Sequence, residues 1–555
     1  MYPNINYCWG SLIVEELIRS GVEYFCIAPG SRSAPLTVTA ARHKKAKTIV
    51  HVDERGLAFH ALGYVTATHK PAVLICTSGT AVANFMPAVI EAAKKKLPLI
   101  VISADRPPEL RQTGAVQTID QVGIFGKYVV WQIDMPCPDF NIKPEGVLTT
   151  IDQAVYQAKA KSGVVHLNCM FREPLTPVLI KADWTAYTRG LKSWDKTGKP
   201  YTEYLTGFDS IRIPETKAIA NRINAIKDGI IVVGKIGSDV ERNTVIHFAR
   251  CLGWPIVADI SSGLRLGEKD EGVIHYFDQL LLSDKLRSSL KVDGIIHFGG
   301  RITSKRYYEF IDAAKPVEYI MVLNHSLRND PLHKVSLRIE TTVTNFCESI
   351  SPLIKPRAKS KQLMDLVKAG RKIDVSIENF FKGDERICEP RAARLISQLI
   401  PHGHGLFLGN SMPIRDMDMY ADFKGHVVHT AGNRGASGID GLIASASGYA
   451  VGLKQPVTLM IGDLSALHDL NSLSMLRDVV QPVIMVVLNN GGGGIFSFLP
   501  ISKEKDVFEK YFGTPHPVTF SNAAVMFVLT YVQPCFVYLF LKSYSFIPKL
   551  RISPF

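Results

Sequence analysis

The sequence has 555 residues, of which 46% are hydrophobic and 21% charged. This balance is typical of a globular protein with a large core, and the length predicts three or four domains rather than one. Disordered, collagen-like and coiled-coil proteins are excluded. The net charge is +13, but the basic residues are dispersed rather than gathered on one stripe or tail. We therefore favour an enzyme for small anionic molecules over a nucleic-acid-binding protein, and expect no nucleic-acid partner.

The nine cysteines stand singly and include no C-x-x-C pair. This pattern indicates neither a disulfide framework nor a zinc site. The first residues also lack the basic start and apolar centre of a signal peptide. We expect a protein of the reducing cytoplasm.

The first part of the chain alternates short apolar runs with helix-length stretches. The runs are rich in β-branched residues, end in polar residues or glycine, and lie at residues 24–31, 48–54, 72–79, 97–107 and 164–169. Such runs are typical of buried strands in a parallel sheet. Their alternation with helices predicts an open α/β domain over residues 1–187.

The same alternation appears twice more along the chain. Apolar runs lie at residues 230–237, 255–263, 293–301 and 318–324, and again at 405–411, 456–465 and 482–492. Two polar stretches, 188–204 and 351–362, are rich in proline or lysine and are predicted as linkers. We predict three α/β domains with doubly wound parallel sheets, at residues 1–187, 205–350 and 363–555.

The sharpest functional signal lies between residues 462 and 494. Asp463 follows one predicted strand, and Asn489 and Asn490 end the next. Parallel strands open on the same sheet edge, so these side chains can meet there. A carboxylate, an amide oxygen and a backbone carbonyl are ligands that Mg²⁺ prefers, and the glycines at 491–494 let the backbone approach a phosphate. Taken alone, an aspartate and an asparagine at strand ends are more often turn formers.

This spacing resembles the metal and diphosphate motif of thiamine diphosphate-dependent enzymes, although Leu464 stands where many members have glycine. Those enzymes also need a glutamate near the end of an early strand, to contact the aminopyrimidine ring of the cofactor. Glu54 stands in that position. Taken alone, Glu54 is also explained as an acid stabilised at a helix N-terminus. The two signals together favour the cofactor site.

Eight further segments resemble one family within these enzymes, the 2-succinyl-5-enolpyruvyl-6-hydroxy-3-cyclohexene-1-carboxylate synthases, or MenD family. They lie at residues 28–36, 51–63, 77–89, 104–121, 409–418, 433–441, 462–473 and 489–500. The resemblance extends in order over about residues 10–520. It implies three domains, termed pyrimidine-binding, central and diphosphate-binding.

The resemblance implies a transferase that works with thiamine diphosphate and Mg²⁺ or Mn²⁺. The reaction it implies is decarboxylation of 2-oxoglutarate and 1,4-addition of the resulting succinyl carbanion to isochorismate, in menaquinone biosynthesis. It further implies a homodimer or a dimer of dimers. In that assembly the pyrimidine-binding domain of one subunit faces the diphosphate-binding domain of the other.

The resemblance also implies roles for individual residues. The expected catalytic residues are Glu54, Arg32, Gln117 and Arg415. The expected substrate-binding residues are Ser31, Arg32, Arg106, Gln117, Lys305, Ser411, Arg415 and Arg434. The expected cofactor-binding residues are Glu54, Ile439, Asp463, Leu464, Ser465, Asn490, Ile495 and Phe496, and the expected metal ligands are Asp463, Asn490 and Gly492. Both substrates are dianions, and arginine can hold a carboxylate through two hydrogen bonds, so the excess of arginine fits this chemistry.

The resemblance fades after residue 520. Residues 523–541 are apolar and aromatic, but Gln533 and Pro534 in their middle disfavour a membrane span, so we expect no stable membrane insertion. An altered end of the third domain is the preferred explanation. Two alternatives to the implied reaction stay open. One is another thiamine diphosphate-dependent 2-oxoacid carboligase or decarboxylase, whose substrates would need fewer arginines. The other, which the altered end allows, is an impaired paralogue that binds ligands without turnover.

Overall fold

The computed structural model describes residues 2–204 and 213–546. Its strands form three parallel sheets that follow one another along the chain. The predicted α/β fold class with three parallel-sheet domains is thereby confirmed. The domain limits remain predictions; those at residues 205 and 555 lie outside the described residues.

The first sheet has six strands in the order β2-β1-β3-β4-β6-β5. Its strands are β1 (Tyr24–Ile27), β2 (Lys47–Val50), β3 (Ala72–Cys76), β4 (Leu99–Asp105), β5 (Val129–Met135) and β6 (Val164–Met170). Its helices are α1 (Ile5–Arg19), α2 (Ala34–Arg42), α3 (Glu54–Thr68), α4 (Thr80–Asn84), α5 (Met86–Lys95), α6 (Pro144–Ala160), α7 (Trp184–Tyr187) and α8 (Lys192–Thr197). Helices α1 and α6 cover one face of the sheet and α3 and α5 the other, so it is doubly wound.

The second sheet also has six strands, in the order β12-β11-β10-β7-β8-β9. Its strands are β7 (Gly229–Val233), β8 (Ile256–Ala258), β9 (Val273–Ile274), β10 (Gly294–Phe298), β11 (Glu318–Leu323) and β12 (Leu337–Glu340). Its helices are α9 (Ile213–Ala225), α10 (Asp239–Leu252), α11 (Phe277–Leu280), α12 (Asp284–Ser289), α13 (Lys305–Ala314), α14 (Val343–Ile350) and α15 (Lys361–Phe381). Apolar clusters cover both faces of this sheet.

The third sheet has four strands in the order β14-β13-β15-β16. Its strands are β13 (Gly405–Leu408), β14 (His429–Ala431), β15 (Val457–Gly462) and β16 (Val483–Leu488). Its helices are α16 (Glu389–Leu399), α17 (Met412–Tyr420), α18 (Leu442–Leu453), α19 (Asp463–His468), α20 (Leu473–Asp478), α21 (Lys505–Phe508), α22 (Ser521–Met526) and α23 (Val537–Phe546). The core again lies on both faces of the sheet.

Four strands were not predicted, namely β5, β9, β12 and β14. Each of them lies at an edge of its sheet. An edge strand is half-exposed and carries polar residues among the apolar ones, as in β5 and β12. The prediction searched for continuous apolar runs. The edge strand β16 has such a run and was predicted, whereas β5, β12 and β14 lack one and β9 has only two residues.

The stretch 188–204, predicted as a linker, is attached to the first domain. Residues 192–197 form α8, and Trp194 is buried in the core beside α1. The Trp194 indole N–H donates to Glu16 Oε2 at 2.6 Å, and the Tyr201 backbone N–H donates to Glu16 Oε1 at 2.5 Å. The polar composition of this stretch predicted a linker, although the stretch packs against the first domain.

Helices α3 and α18 join the first and third domains by a close crossing. A Cβ atom on Gly63 would lie 2.0 Å from Ser445 O, and one on Gly448 would lie 1.9 Å from His60 O. The contact also contains a hydrogen bond of 2.8 Å between His60 Nδ1 and Ser447 Oγ. The two glycines allow the backbones to touch and so set the spacing of the two domains.

The atypical C-terminal segment folds onto the third domain. Phe540 and Tyr544 of α23 pack into its core, and the Tyr544 hydroxyl lies 2.6 Å from Thr458 Oγ1. Strand β16 remains an edge of the sheet. Within residues 2–204 and 213–546, no helix has the length and apolar character needed to cross a membrane.

Candidate active site

The predicted site residues of the first and third domains lie mainly where parallel strands end. In the first sheet the segments after β1 and β4 carry Arg32 and Arg106. In the third sheet the segments after β13, β14, β15 and β16 carry Ser411, Arg415, Arg434, Asp463, Ser465 and Asn490. Carboxyl ends of parallel strands form the usual ligand-binding edge of an open α/β sheet.

Asp463 and Asn490 meet at this edge of the third sheet. The Gly491 and Gly492 N–H groups donate to Asp463 Oδ2 at 2.8 and 3.0 Å. The Gly492 N–H also lies 3.2 Å from Asn490 Oδ1, so the carboxylate and the amide oxygen share one donor. The Leu464 N–H donates to Asp463 Oδ1 at 2.6 Å. The oxygen atoms gathered here are those that suit a hard divalent cation.

The amide of Asn490 is oriented by Glu389, a residue that the sequence analysis did not select. Asn490 Nδ2 donates to Glu389 Oε1 at 2.6 Å. This bond directs the nitrogen away and leaves Oδ1 on the side of Asp463. A Cβ atom on Gly494 would lie 2.7 Å from Asn490 Nδ2, so the amide needs glycine at this position. Glu389 is 101 residues away in sequence, and no local motif identifies it.

His516 lies on the other side of the same carboxylate. Its Nε2 atom is 3.3 Å from Asp463 Oδ2, and its backbone N–H donates to Gly491 O at 3.0 Å. The segment around His516 thus covers the glycine loop. Among the described residues no group of three or more His, Cys, Asp and Glu side chains could hold a metal ion, so a cation here would depend on the Asp463 and Asn490 oxygens.

Glu54 begins α3 in the first domain and is half-buried. Its Oε2 atom accepts a hydrogen bond from Asn84 Nδ2 at 3.3 Å. The neighbouring Asp53 caps the helix by accepting from the Arg55 and Gly56 N–H groups. No hydrogen bond joins Glu54 and Asp463 in the described part of this single chain.

Arg32 and Arg106 form a cationic pair in the first domain. Arg32 is buried, donates from Nη1 to Phe171 O at 2.9 Å, and lies 3.3 Å from Glu173. The Nε atoms of both arginines are buried without a hydrogen-bond partner among the described residues. Burial and the nearby positive charge of Arg106 lower the pKa of Arg32. Two guanidinium groups that each keep an unpartnered N–H suit an anionic ligand.

Gln117 and Ser31 are exposed residues of the same region. Gln117 has a φ of +54°, which is unusual for a residue other than glycine, and its Cα lies 3.4 Å from the position of a Cβ on Gly79. The Gly79 N–H donates to Oε1 of the buried Gln121 at 2.9 Å. Gln121 therefore supports this loop, although the sequence analysis selected only Gln117.

The second cationic group comprises Arg415 and Arg434 of the third domain. Arg434 Nη1 donates to Asn410 Oδ1 at 3.0 Å, and Arg415 Nη1 donates to the carbonyl of Ser411. Ser411 has a φ of +68°, a strained backbone of the kind found at functional sites. Burial and the positive charges of Arg415 and Arg301 lower the pKa of Arg434. Arg301, from the central domain, is a third cation that the sequence analysis did not select.

Lys305 forms its ion pair outside this cationic group. It starts α13, is 88% exposed, and pairs with Glu309 at 3.3 Å. Among the apolar candidates, Ile439 is exposed, whereas Ile495 and Phe496 are half-buried. Ser465 is buried in α19, two residues after Asp463. The roles of these residues remain predictions.

Two family models match the chain. One, described as "Thiamine pyrophosphate enzyme, N-terminal TPP binding domain", matches residues 9–124. The other, described as "Middle domain of thiamine pyrophosphate", matches residues 185–408. Both agree with the cofactor class that the sequence motifs predict.

The chain is also similar over nearly its full length to curated proteins. It is 45% identical to the 2-succinyl-5-enolpyruvyl-6-hydroxy-3-cyclohexene-1-carboxylate synthase of Rubrobacter xylanophilus, over 96% of this chain and 92% of that protein. It is 44% identical to the protein of that name from Prosthecochloris aestuarii, over 98% and 92%. It is 38% identical to "Protein PHYLLO, chloroplastic" of Arabidopsis thaliana, over 96% of this chain and 33% of that protein. The chain belongs to the MenD family of thiamine diphosphate-dependent synthases, as its motifs predict.

Proposed function

We propose that the chain catalyses the decarboxylation of 2-oxoglutarate and the 1,4-addition of the resulting four-carbon unit to isochorismate. The product is 2-succinyl-5-enolpyruvyl-6-hydroxy-3-cyclohexene-1-carboxylate, an intermediate of menaquinone biosynthesis. Membership of the MenD family supports this reaction. The observation that carries it here is the pair Arg32 and Arg106, whose Nε atoms are buried without a hydrogen-bond partner among the described residues. They offer the charge that a dicarboxylate needs.

Asp463, Asn490 and the carbonyl of Gly492 are the proposed ligands of Mg²⁺ or Mn²⁺. Their oxygens fit such an ion. Glu389 accepts from Asn490 Nδ2 and so leaves Asn490 Oδ1 free to act as the ligand. In the described arrangement, Asp463 Oδ2 accepts from two backbone N–H groups. Coordination of the ion through this oxygen requires the glycine loop to turn those groups away. The positive φ values of Gly491 and Gly492 give the loop this freedom.

Thiamine diphosphate supplies an electron sink for the carbon–carbon bond that breaks and the one that forms. The chain supplies placement and charge. Glu54 is proposed to hydrogen-bond the aminopyrimidine ring through its carboxyl group and to hold a proton there. A positioned acid or base of this kind contributes roughly 10² to 10⁴ in rate. Ile439, Leu464, Ser465, Ile495 and Phe496 are proposed to line the rest of the cofactor site.

The substrate carboxylates are proposed to bind the two cationic groups. Arg32 and Arg106 form one group, with Ser31 and Gln117 beside them. Arg415 and Arg434 form the other, with Ser411 at its strained position and Lys305 as the central-domain residue. A carboxylate replaces no strong existing partner at the Nε atoms of Arg32 and Arg106, so little is lost when it binds.

We propose a homodimer or a dimer of dimers in which the site is shared between subunits. Glu54 belongs to the first domain and Asp463 to the third, and no hydrogen bond joins them within the described residues of one chain. Apolar side chains near Glu54 also face outward, including Val52, which is 78% exposed. A partner subunit that covers this surface is consistent with both observations.

We propose that the protein works in the cytoplasm. All nine cysteines are free thiols in the structure. This is the state expected in a reducing compartment.

The test is to incubate the protein with thiamine diphosphate, Mg²⁺, 2-oxoglutarate and isochorismate and to follow CO₂ release and the product by mass spectrometry. Formation of the 2-succinyl product is expected. The absence of CO₂ would overturn the proposal, and CO₂ release from pyruvate alone would favour another 2-oxoacid decarboxylase. Glu54→Gln should lower turnover by roughly 10² to 10⁴ with little change in cofactor affinity. Glu203→Gln, at an exposed pair with Lys199, is the control.

A further inference from the structure

The loop of residues 433–438 carries Arg434 and leads to Ile439, and a carboxylate of the first domain holds it. Glu91 lies on α5 and is 2% exposed. Its Oε1 atom accepts from the Gly435 N–H at 2.7 Å. Its Oε2 atom accepts from the Ala436 and Ser437 N–H groups at 2.6 and 3.3 Å. Three successive backbone donors thus converge on one buried carboxylate.

The approach of α5 to this loop leaves no room for a side chain. A Cβ atom on Gly435 would lie 2.7 Å from the carbonyl oxygen of Glu91 and 2.9 Å from Lys94 Cβ. Successive N–H groups of this kind form a concave site for an anion. Charge-assisted hydrogen bonds of this length are about twice as strong as neutral ones. The bonds therefore compensate the burial of Glu91 and tie the two domains at this point.

The other side of the loop is held from within the third domain. Asn410 Nδ2 donates to the carbonyls of Asn433 and Gly438 at 2.8 and 2.7 Å. Asn410 Oδ1 in turn accepts from Arg434 Nη1 at 3.0 Å. The ends of the loop and the guanidinium group are thus fixed by Asn410. Its middle is fixed by Glu91.

We propose that Glu91 is a positioning residue for the proposed reaction: it acts across the domain boundary, through the backbone of residues 435–437, to hold Arg434 in its substrate-binding orientation. This inference rests on the proposed function of Arg434. Glu91 itself contacts backbone N–H groups of the loop, so its effect on substrate passes through the loop.

The chemistry of the contact requires a carboxylate. In Glu91→Gln one oxygen becomes an NH₂ group, which faces backbone donors and cannot accept from them. At least one of the three bonds is then lost, and the loop gains freedom. Glu91→Asp keeps the charge but shortens the side chain, so it should retain some of the hydrogen bonds to the loop.

The first experiment measures kcat and KM for each substrate in Glu91→Gln. We expect KM for one substrate to rise roughly 10- to 100-fold, as for the loss of a hydrogen bond to a charged group, with kcat changed less than about threefold. Glu91→Asp should lie between wild type and Glu91→Gln. Asp293→Asn is the control, because Asp293 also accepts two backbone N–H groups, from Lys227 and Asp228, but in the central domain. Unchanged KM values in both Glu91 variants would overturn the proposal.

The double variant Glu91→Gln/Arg434→Ala tests whether Glu91 acts through Arg434. If it does, the double variant has nearly the KM of Arg434→Ala alone; additive effects would contradict the proposal. Hydrogen–deuterium exchange gives a readout that needs no turnover. The peptide containing residues 435–437 should exchange faster in Glu91→Gln than in wild type, and equal exchange would overturn the inference. Faster exchange in a protein without synthase activity would reject the proposed function but keep Glu91 as the anchor of the loop.

Discussion

The cationic pair Arg32 and Arg106 of the first domain and the carboxylate of Asp463 in the third domain differ in how their polar atoms are hydrogen-bonded. Arg32 and Asp463 are almost equally buried, at 5% and 2% exposed. Asp463 accepts hydrogen bonds from three backbone N–H groups. Arg32 and Arg106 each keep a buried Nε atom without a partner in the described chain. The first site is therefore ready for an anion, whereas the second must exchange backbone donors for a cation.

The largest expected effect comes from removing the Asp463 carboxylate. Asp463→Asn should lower turnover by on the order of 10³-fold, because charge stabilisation by a bound metal ion is worth several kcal/mol. The increase in melting temperature that thiamine diphosphate and Mg²⁺ together produce in wild type should also disappear. Asp478→Asn, at an exposed pair with Arg477, is the control. Retention of the Mg²⁺-dependent shift in Asp463→Asn would contradict the assigned ligand.

The anion site should be broken by Arg32→Ala. Loss of a charge-assisted hydrogen bond costs about 1.5–3 kcal/mol, so KM for one dicarboxylate substrate should rise roughly 10- to 150-fold. The dependence of KM on salt should weaken in the same variant. Arg172→Ala removes a nearby exposed arginine that pairs with Glu109, and it should have little effect. A similar KM increase in both variants would mean that general positive charge, rather than this site, attracts the substrate.

Glu389→Ala sharpens the comparison, because it alters the support of the cation site without removing a ligand. Residues that orient metal ligands typically contribute 10- to 100-fold in affinity, so the apparent Kd for Mg²⁺ should rise about 10- to 100-fold. Titration of the cofactor-dependent melting temperature with Mg²⁺ measures this change. Glu389→Gln keeps an acceptor for Asn490 Nδ2 and should remain close to wild type. Equal Kd values in wild type and Glu389→Ala would remove Glu389 from the site.

The smallest expected effect concerns Asp416, a buried carboxyl beside Arg415. Unlike Asp463, it has an oxygen, Oδ2, without a partner among the described residues. Burial and the negative charge of Glu389 raise its pKa to about 7. The folded state therefore binds this proton more tightly than the unfolded chain. The contribution of Asp416 to stability is complete below about pH 4 and is lost as the pH rises towards 7.

Asp416→Asn removes this dependence. The variant should melt at a higher temperature than wild type above pH 7, by several degrees, and the difference should shrink as the pH falls towards 4. Thermal unfolding of both proteins across this range measures the effect. A constant difference over the whole range would show that Asp416 does not titrate in this way.

The sequence predicted the central strands and the strand-end residues well, for a physical reason. A strand buried on both faces must be apolar, and polar residues directly after it must lie at the sheet edge, as Asp463 and Asn490 do. Edge strands such as β5 and β12 are half-exposed and lack this signature. They are identified as strands by their pairing with β6 and β11 in the structure.

The residues that support the site were not predictable in the same way. Glu389 and Arg301 approach the site from distant parts of the chain and belong to none of the family segments. Gln121 ends the segment 104–121, but nothing in its local sequence distinguishes its supporting role from that of Gln117. Glu91 is an acid on a predicted helix, and the sequence analysis did not select it. Its role depends on the spacing of two domains, which the alternation of strands and helices does not determine.

The crossing of α3 and α18 has a consequence for variation in this protein. Gly63 and Gly448 are not among the candidate site residues, yet a Cβ atom on either would lie about 2 Å from a carbonyl oxygen of the other helix. An alanine at either position would push α3 and α18 apart and would shift the contact of Glu91 with residues 435–437. In a saturation-mutagenesis map these two glycines should therefore tolerate as few replacements as the residues that touch substrate.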